Sequence, residues 1–298
     1  MAVLAADAQQ GRRATDSGTP ADLRVDVSLA IIPVTVTNSF GEPVFGLRLE
    51  DFKLFEDGVE QKIAHLDSAD RPVSIALVFD LSASMKKKMP TAAEAIRQLL
   101  ASFDLPDDEF CLILFNEHPR IAVPFTRDAQ EVTACLSHAR PLGRTALLDA
   151  IHLARAQMRV AHNTRKVIVA VSDGGDNHSR LTPTDIRMDM RESDVQLYAM
   201  GISRAEPEGL PTLAIEELNG PGLLNEIAHQ TGGRFVELTR LSDLPATCAD
   251  IAHKLHNQYL LAYSPSSHDA RSHRIQVKVA GGVGYTVVHR SELYVPAH

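Results

Sequence analysis

The sequence predicts an α/β protein in which a doubly wound, mostly parallel sheet is inserted in a small β-sheet module made by the N- and C-terminal arms. Three observations predict this fold class. Continuous apolar runs, such as VSIALVF at 73–79, are typical of strands buried on both faces. Between residues 70 and 258 such runs alternate with segments of helical periodicity, as in parallel strands joined by helices. Both ends of the chain carry strand patterning without helices.

Residues 1–22 are predicted to form a disordered leader. From residue 9 onwards the leader is polar and rich in Gly, Pro, Ser and Thr, so it has little apolar surface to bury. Ala6-Asp7-Ala8 has the small residues of a secretory cleavage site. Two interpretations fit this segment: the trimmed end of an export signal, or an unstructured terminus.

Residues 23–68 are predicted to form an N-terminal β arm. Apolar and polar residues alternate from 25 to 31, and Pro33 interrupts the run, as expected where a strand breaks. Asp57-Gly58 lies between two further alternating runs, which is a strong hairpin signal. The arm has few large apolar side chains, so its core must come partly from elsewhere.

Residues 70–258 are predicted to form the α/β domain. Its predicted strands are VSIALVFD, CLILFN, RIAVPFT, KVIVAVSDG, QLYAMGI and RFVEL. Its predicted helices are TAAEAIRQLLASF and the segments 129–139, 145–159, 186–192, 223–230 and 244–257. Several prolines and glycines between 203 and 222 predict an extra surface loop.

Residues 259–298 are predicted to form a C-terminal β arm. Three strand-like segments, YLLAYSP, HRIQVKVA and YTVVHRSEL, follow one another without helical periodicity. Neither this arm nor residues 23–68 is large enough to fold alone. We therefore expect the two arms to pair with each other.

Charge and composition argue against several classes of partner. The formal net charge is -8, and the only dense basic run is Lys86-Lys87-Lys88, which is typical of a solvated helix start. Nucleic-acid binding is therefore not expected. No apolar stretch reaches the roughly 18 residues of a membrane span, so membrane insertion is not expected either. The three cysteines lack the spacing of a disulfide framework.

Oxygen-bearing side chains follow the first buried strand of the α/β domain. Asp80 ends that strand, and Ser82 and Ser84 come next at two-residue steps. In open α/β sheets, ligands bind beyond the carboxyl ends of the strands. Thr145 and Asp173 occupy equivalent positions, at a helix start and at the end of another strand. These five residues favour a site for Mg²⁺, Mn²⁺ or Ca²⁺, and the lack of nearby Cys or His disfavours zinc.

Three motifs together, VFDLSASM, GRTALLDAI and VSDGGDN, resemble the metal-ion-dependent adhesion site of von Willebrand factor type A domains, which have a Rossmann-like fold. The resemblance covers residues 70–258. It implies hydroxyl ligands from Ser82, Ser84 and Thr145, carboxylates from Asp80 and Asp173 that bind directly or through water, and a partner's carboxylate to complete the shell. This chain has alanine between the two serines, where the family's usual residue is glycine, and that change removes no ligand.

The two arms resemble those of bacterial secreted proteins related to this family, which implies a secreted, periplasmic or cell-surface location without an intact signal in this chain. The expected function is a non-enzymatic, metal-dependent adhesion module that binds another protein through an Asp or Glu carboxylate. Two alternatives stay open: a structural envelope module whose metal joins three loops, and a Mg²⁺-dependent hydrolase or phosphatase. Against the second, Ser82 stands where a haloacid-type phosphatase would have its second Asp.

Asp149 and Asp176 are either supporting acceptors or exposed polar residues, and we favour the latter.

Overall fold

A computed structural model describes residues 29–67, 71–173, 175–202, 215–281 and 284–296. The predicted leader, 1–22, lies outside these residues. The described strands, in chain order, are β1 (Ala30–Thr37), β2 (Phe52–Glu56), β3 (Val59–Gln61), β4 (Ile63–Asp67), β5 (Val73–Asp80), β6 (Glu109–Phe115), β7 (Arg120–Thr126), β8 (Arg165–Ser172), β9 (Gln196–Ile202), β10 (Arg234–Leu238), β11 (Tyr259–Tyr263), β12 (Arg271–Val279), β13 (Thr286–His289) and β14 (Glu292–Val295). The described helices are α1 (Met89–Leu100), α2 (Ala129–Ser137), α3 (Leu147–Gln157), α4 (Pro183–Arg191), α5 (Ile215–Gln230) and α6 (Leu244–His256).

The central sheet confirms the predicted fold class. Its six strands lie in the order β10-β9-β8-β5-β6-β7, and all neighbouring pairs are parallel except β6 and β7. Every residue of β5 is buried, because helices cover both faces of the sheet. Ile75 and Leu77 point into a core shared with α1 and α6, whereas Ala76 and Val78 point into one shared with α3. The carboxyl ends of the parallel strands therefore share one edge.

The antiparallel strand β7 follows from the length of its connection. Only residues 116–119 separate it from β6. A crossover between parallel strands needs about a dozen residues or more. A link as short as this one therefore permits only a hairpin.

The two arms form a module of two packed four-stranded sheets, with strand orders β13-β1-β11-β4 and β14-β12-β2-β3. Strand β1 pairs antiparallel with β11, where Ile32 lies opposite Leu261, so strands from both ends of the chain lie side by side in one sheet. The sheets share a core that includes Ile32, Leu54 and Tyr263. Asp57 and Gly58, both at positive φ, form the predicted hairpin turn.

Helix α5 differs from the prediction. The sequence predicted a loop over 203–222, and residues 203–214 lie outside the described part of the chain. From residue 215 onwards, however, the chain is helical, and Pro221 lies inside the helix. Intrinsic propensity disfavours helix at the Asn-Gly-Pro-Gly sequence 219–222, but it is a weak prior that tertiary packing overrides.

Candidate functional site

The candidate site lies at the carboxyl edge of the central sheet. Strand β5 ends at Asp80, and a short 3-10 helix, Ala83–Lys87, leads into α1. Three backbone hydrogen bonds join the turn after β5 to adjacent loops: Leu81 N–H to Phe115 O at 2.7 Å, Ala83 N–H to Gly143 O at 3.1 Å, and Leu142 N–H to Leu81 O at 2.7 Å. The site's loops are thus fixed to one another by main-chain contacts.

Asp80 is fully buried, and both of its carboxylate oxygens are hydrogen bonded. Oδ1 accepts the backbone N–H of Ser82 at 2.7 Å, and Oδ2 accepts the hydroxyl of Ser172 at 2.5 Å. Burial raises the pKa of Asp80, while the hydrogen bonds from Ser172 and Ser82 oppose that rise. The carboxylate is therefore held in one orientation. Its two hydrogen-bond donors are neutral, so they offset the cost of burying its negative charge only in part.

A chain of hydrogen bonds connects the two serines to the second aspartate. The Ser82 and Ser84 Oγ atoms are 3.0 Å apart, and the Ser84 hydroxyl donates to Asp173 Oδ1 at 2.6 Å. Asp173 follows β8 and is buried. The structure thus brings Asp80, Ser82, Ser84 and Asp173 together, from two strand ends that are adjacent in the sheet.

Thr145 lies in the third loop of the site. It is buried, its N–H donates to Asn177 Oδ1 at 3.0 Å, and its carbonyl accepts the N–H groups of Asn177 and His178. Among the described residues, no hydrogen bond joins its hydroxyl to the other four side chains. Its loop reaches the site through Gly143, whose carbonyl accepts Ala83 N–H.

Lys88 is a site residue that the sequence analysis missed. Its Nζ donates to Asp173 Oδ2 at 2.6 Å, and its side chain is only 17% exposed. Lys86 and Lys87 are exposed, as predicted for a solvated helix start, but that prediction was wrong for Lys88. The only available signal was its position four residues after Ser84.

Asp149 and Asp176 are acceptors rather than exposed polar residues. Asp149 is buried and accepts the N–H groups of Arg180 and Leu181. Asp176 accepts Leu147 N–H at 2.9 Å, and burial raises its pKa. The interpretation of both as exposed polar residues was therefore wrong. They order the loop after β8, beside the site.

The donor set fits a hard divalent cation. Two buried carboxylates and two hydroxyls lie in one hydrogen-bonded group, and oxygen ligands of this kind suit Mg²⁺, Mn²⁺ or Ca²⁺. The described residues contain no cluster of three or more His, Cys, Asp or Glu side chains arranged to hold a metal. Hydroxyls must therefore supply part of any coordination shell here.

Comparison with known proteins agrees with this fold. Residues 75–175 match the family model of the von Willebrand factor type A domain. The solved structure of a von Willebrand factor type A protein from Catenulispora acidiphila superimposes with a TM-score of 0.53 at 15% identity, covering 83% of this chain and 74% of that one. The part of this chain that spans residues 75–175 is thus a von Willebrand factor type A domain by its family match. Such domains commonly mediate protein–protein interactions and are typically non-catalytic.

Two further proteins are similar to smaller parts of this chain. An uncharacterized protein from Borreliella burgdorferi is 24% identical over 195 residues, which are 59% of this chain and 56% of that protein. This chain thus spans about half the length of that relative. Proximal thread matrix protein 1 from the mussel byssus matches with a TM-score of 0.50 at 15% identity, over 74% of this chain and 50% of that one. At such identities a structural match shows the fold alone.

None of the helices in the described residues has the length and apolar character needed to cross a membrane.

Proposed function

We propose that this chain is a metal-dependent protein-binding module. In this proposal Asp80, Ser82, Ser84, Thr145 and Asp173 hold Mg²⁺, Mn²⁺ or Ca²⁺, and a partner protein contributes an Asp or Glu carboxylate. The single observation that carries the proposal is the hydrogen-bonded group in which Ser82, Ser84 and Asp173 converge beside the buried Asp80. Hydrogen-bonded oxygens at a fixed loop junction are already positioned before any ligand arrives.

Each side chain has a separate task in this arrangement. Asp80 supplies negative charge in a fixed orientation, because Ser82 N–H and the Ser172 hydroxyl hold its two oxygens. Asp173 supplies the second negative charge from the end of the neighbouring strand. The serine hydroxyls are neutral, so they complete the donor set without adding charge. A bound divalent cation would supply an electrophilic coordination position for the partner's carboxylate.

The proposed location of the protein is secreted, periplasmic or at the cell surface. The two arms, 23–68 and 259–298, support this proposal, since they resemble those of bacterial secreted relatives. Their packed module places the chain's two arms side by side, with β1 against β11.

Calorimetric titration of the chelator-stripped protein with Mg²⁺, Mn²⁺ and Ca²⁺ tests whether the site binds a divalent cation. Wild type should bind at least one cation saturably, and Asp173→Ala should lose that binding because it removes a carboxylate. Asp104→Ala is a matched control, because Asp104 is exposed on a loop at the end of the sheet remote from the site. Unaltered metal binding by Asp173→Ala would contradict the proposal.

A second measurement tests whether the bound metal accepts a carboxylate as a ligand. With Mn²⁺ bound, the relaxation rate of water protons reports water on the metal. Titration with N-acetylglutamate should lower that rate, since the carboxylate displaces a coordinated water. N-acetylglutamine, which lacks the side-chain carboxylate but keeps the α-carboxylate, and its methyl ester, which lacks both, provide graded controls. An equal response to all three compounds would contradict recognition of a carboxylate.

The alternative of a purely structural metal makes a different prediction. If the metal only joins three loops, its removal should lower the thermal midpoint, while the water relaxation of the Mn²⁺ form should not respond to any carboxylate. The two titrations together therefore distinguish the two functions.

A further inference from the structure

The candidate site contains a cation supplied by the chain itself. Lys88 Nζ lies 2.6 Å from Asp173 Oδ2, and the other oxygen of Asp173 accepts the Ser84 hydroxyl at 2.6 Å. The Asp173 side chain has no exposed surface, and that of Lys88 is 17% exposed. Both oxygens of this carboxylate are therefore already engaged within the chain.

Electrostatics makes this contact a competitor for metal. A lysine ammonium is a compact point charge, and it interacts strongly with a carboxylate that is shielded from water. A divalent cation at Asp173 would lie close to the same ammonium, and like charges at a few ångström repel each other more strongly in a buried site than in water. Metal binding at Asp173 must therefore work against the Lys88 contact.

The local backbone allows Lys88 to leave without unfolding. Its N–H donates to Met85 O at 2.8 Å, and its carbonyl accepts Ala92 N–H at 3.0 Å, so the main chain is fixed at both sides. Met85 is fully buried and anchors the 3-10 helix. The four-carbon side chain is partly exposed, hence it can rotate into water about its own bonds.

We propose that Lys88 is a tethered competitor of the divalent cation. Without metal, its ammonium neutralises Asp173 and closes the site; metal binding releases it into solvent beside the face that the partner approaches. This inference rests on the proposed metal-binding function. Its consequence is a weaker apparent affinity for metal, so half-saturation requires a higher metal concentration than the same donors would require without the Lys88 contact.

The first test compares Lys88→Met with Lys87→Met in calorimetric titrations of the chelator-stripped proteins with Mn²⁺. Methionine keeps most of the side-chain length and removes the charge, and Lys87 is an exposed neighbour on the same turn. Lys88→Met should bind Mn²⁺ about tenfold or more tightly than wild type, because one positive charge close to the metal is gone. Lys87→Met should bind within about twofold of wild type, because exposed charges are screened.

A second test uses the wild-type chain and does not depend on how a variant folds. Acetic anhydride at a limiting dose acetylates accessible amines, and mass spectrometry after digestion with a protease that ignores lysine locates the products. The rate at Lys88 should rise on addition of Mn²⁺, while the rates at Lys86 and Lys87 stay unchanged.

The outcomes separate this inference from the proposed function. Tighter binding by Lys88→Met together with a metal-induced gain in Lys88 reactivity supports competition. Mn²⁺ binding of equal or lower affinity in Lys88→Met, while wild type binds, overturns the inference and leaves the metal site standing. An unchanged Lys88 acetylation rate in Mn²⁺-saturated wild type also overturns it. Absence of Mn²⁺ binding in every protein overturns the proposed function and this inference with it.

Discussion

Arg290 joins the terminal β module to the α/β domain, and its replacement by methionine should loosen that junction. It lies between β13 and β14 and is buried. Its guanidinium donates to Ser193 O at 2.8 Å, after α4, and to Glu292 O at 2.7 Å within the arm. Burial lowers its pKa, although three anionic or ionisable groups nearby oppose the shift.

The expected loss of stability follows from these two short hydrogen bonds, since a third, to Arg191 O, is 3.4 Å long and contributes little. Hydrogen bonds from a charged donor contribute about 1.5–3 kcal/mol each, so the two together are worth roughly 3–6 kcal/mol. Methionine fills much of the same volume but cannot donate, and the desolvation cost of the buried guanidinium disappears with the charge. We expect a net loss of about 2–3 kcal/mol for Arg290→Met. For a domain of 150–250 residues this corresponds to a thermal midpoint about 4–12 °C lower.

Differential scanning calorimetry gives the midpoint, and hydrogen exchange by mass spectrometry gives the location of the change. Faster exchange should appear around Ser193 and in β14, which the guanidinium connects. Arg48→Met is the matched control, since Arg48 belongs to the same module but forms an exposed pair with Glu50 at 3.1 Å. Such a pair contributes little, so its midpoint should change by less than about 2 °C. A midpoint for Arg290→Met equal to that of wild type would refute the reasoning.

Three other substitutions test separate parts of the molecule. Gly233→Ala should destabilise the chain by more than about 3 kcal/mol, because a Cβ there would lie 2.0 Å from Leu197 O, a backbone atom that cannot move independently. Ser172→Ala should weaken Mn²⁺ binding by about tenfold or more, because it removes a donor that orients Asp80. His273→Gln should lower stability at pH 6 more than at pH 9. Desolvation lowers the pKa of this histidine, but hydrogen bonds to two aspartates outweigh it and raise the pKa overall. A raised histidine pKa gives stability that is complete below about pH 6.5 and is lost as pH rises through the folded-state value.

Each of these substitutions has a control in the chain. Gly222→Ala places its Cβ in open space within α5 and should not destabilise. Ser137→Ala removes an exposed hydroxyl of α2 and should leave Mn²⁺ affinity unchanged. His65→Gln changes an exposed histidine of β4 in the same module as His273. Equal effects of a substitution and its control, or a His273→Gln effect that grows with pH, would contradict the explanation given.

The central sheet could be predicted from the sequence because the residues of each strand, taken alone, indicate whether that strand is buried on both faces. VSIALVFD has no alternation, and a strand without alternation needs cover on both faces. The Asp57-Gly58 turn could also be predicted, because hairpin turns need positive φ at both central positions and Asp-Gly is favoured there. The position of Asp80 and Asp173 at the ends of two buried strands could also be predicted, although the adjacency of these strands in the sheet is known only from the structure. Local chemistry determined all three features.

Features that depend on long-range contacts could not be predicted in this way. The three lysines 86–88 are chemically identical, and only the position of Asp173 in the folded chain separates Lys88 from its two exposed neighbours. Asp149, which is buried, and Asp176, which is half-buried, likewise became acceptors because the loop after β8 folds over the start of α3. The packing of the arms into two sheets depends on pairings such as β2 with β12, which are distant in sequence.

The burial of Asp80 and Asp173 conflicts with stability in a way that supports a binding role. Taking a carboxylate out of water is costly, and here two lie in one buried group, in which Lys88 supplies the only ammonium that contacts them among the residues the structure describes. Apolar residues of similar size at this sheet edge would avoid that cost. Local choices that oppose folding are expected where a protein binds a ligand. The remaining negative charge at Asp80 is what a divalent cation would neutralise, so the carboxylate whose burial is costly is also the group suited to binding the cation.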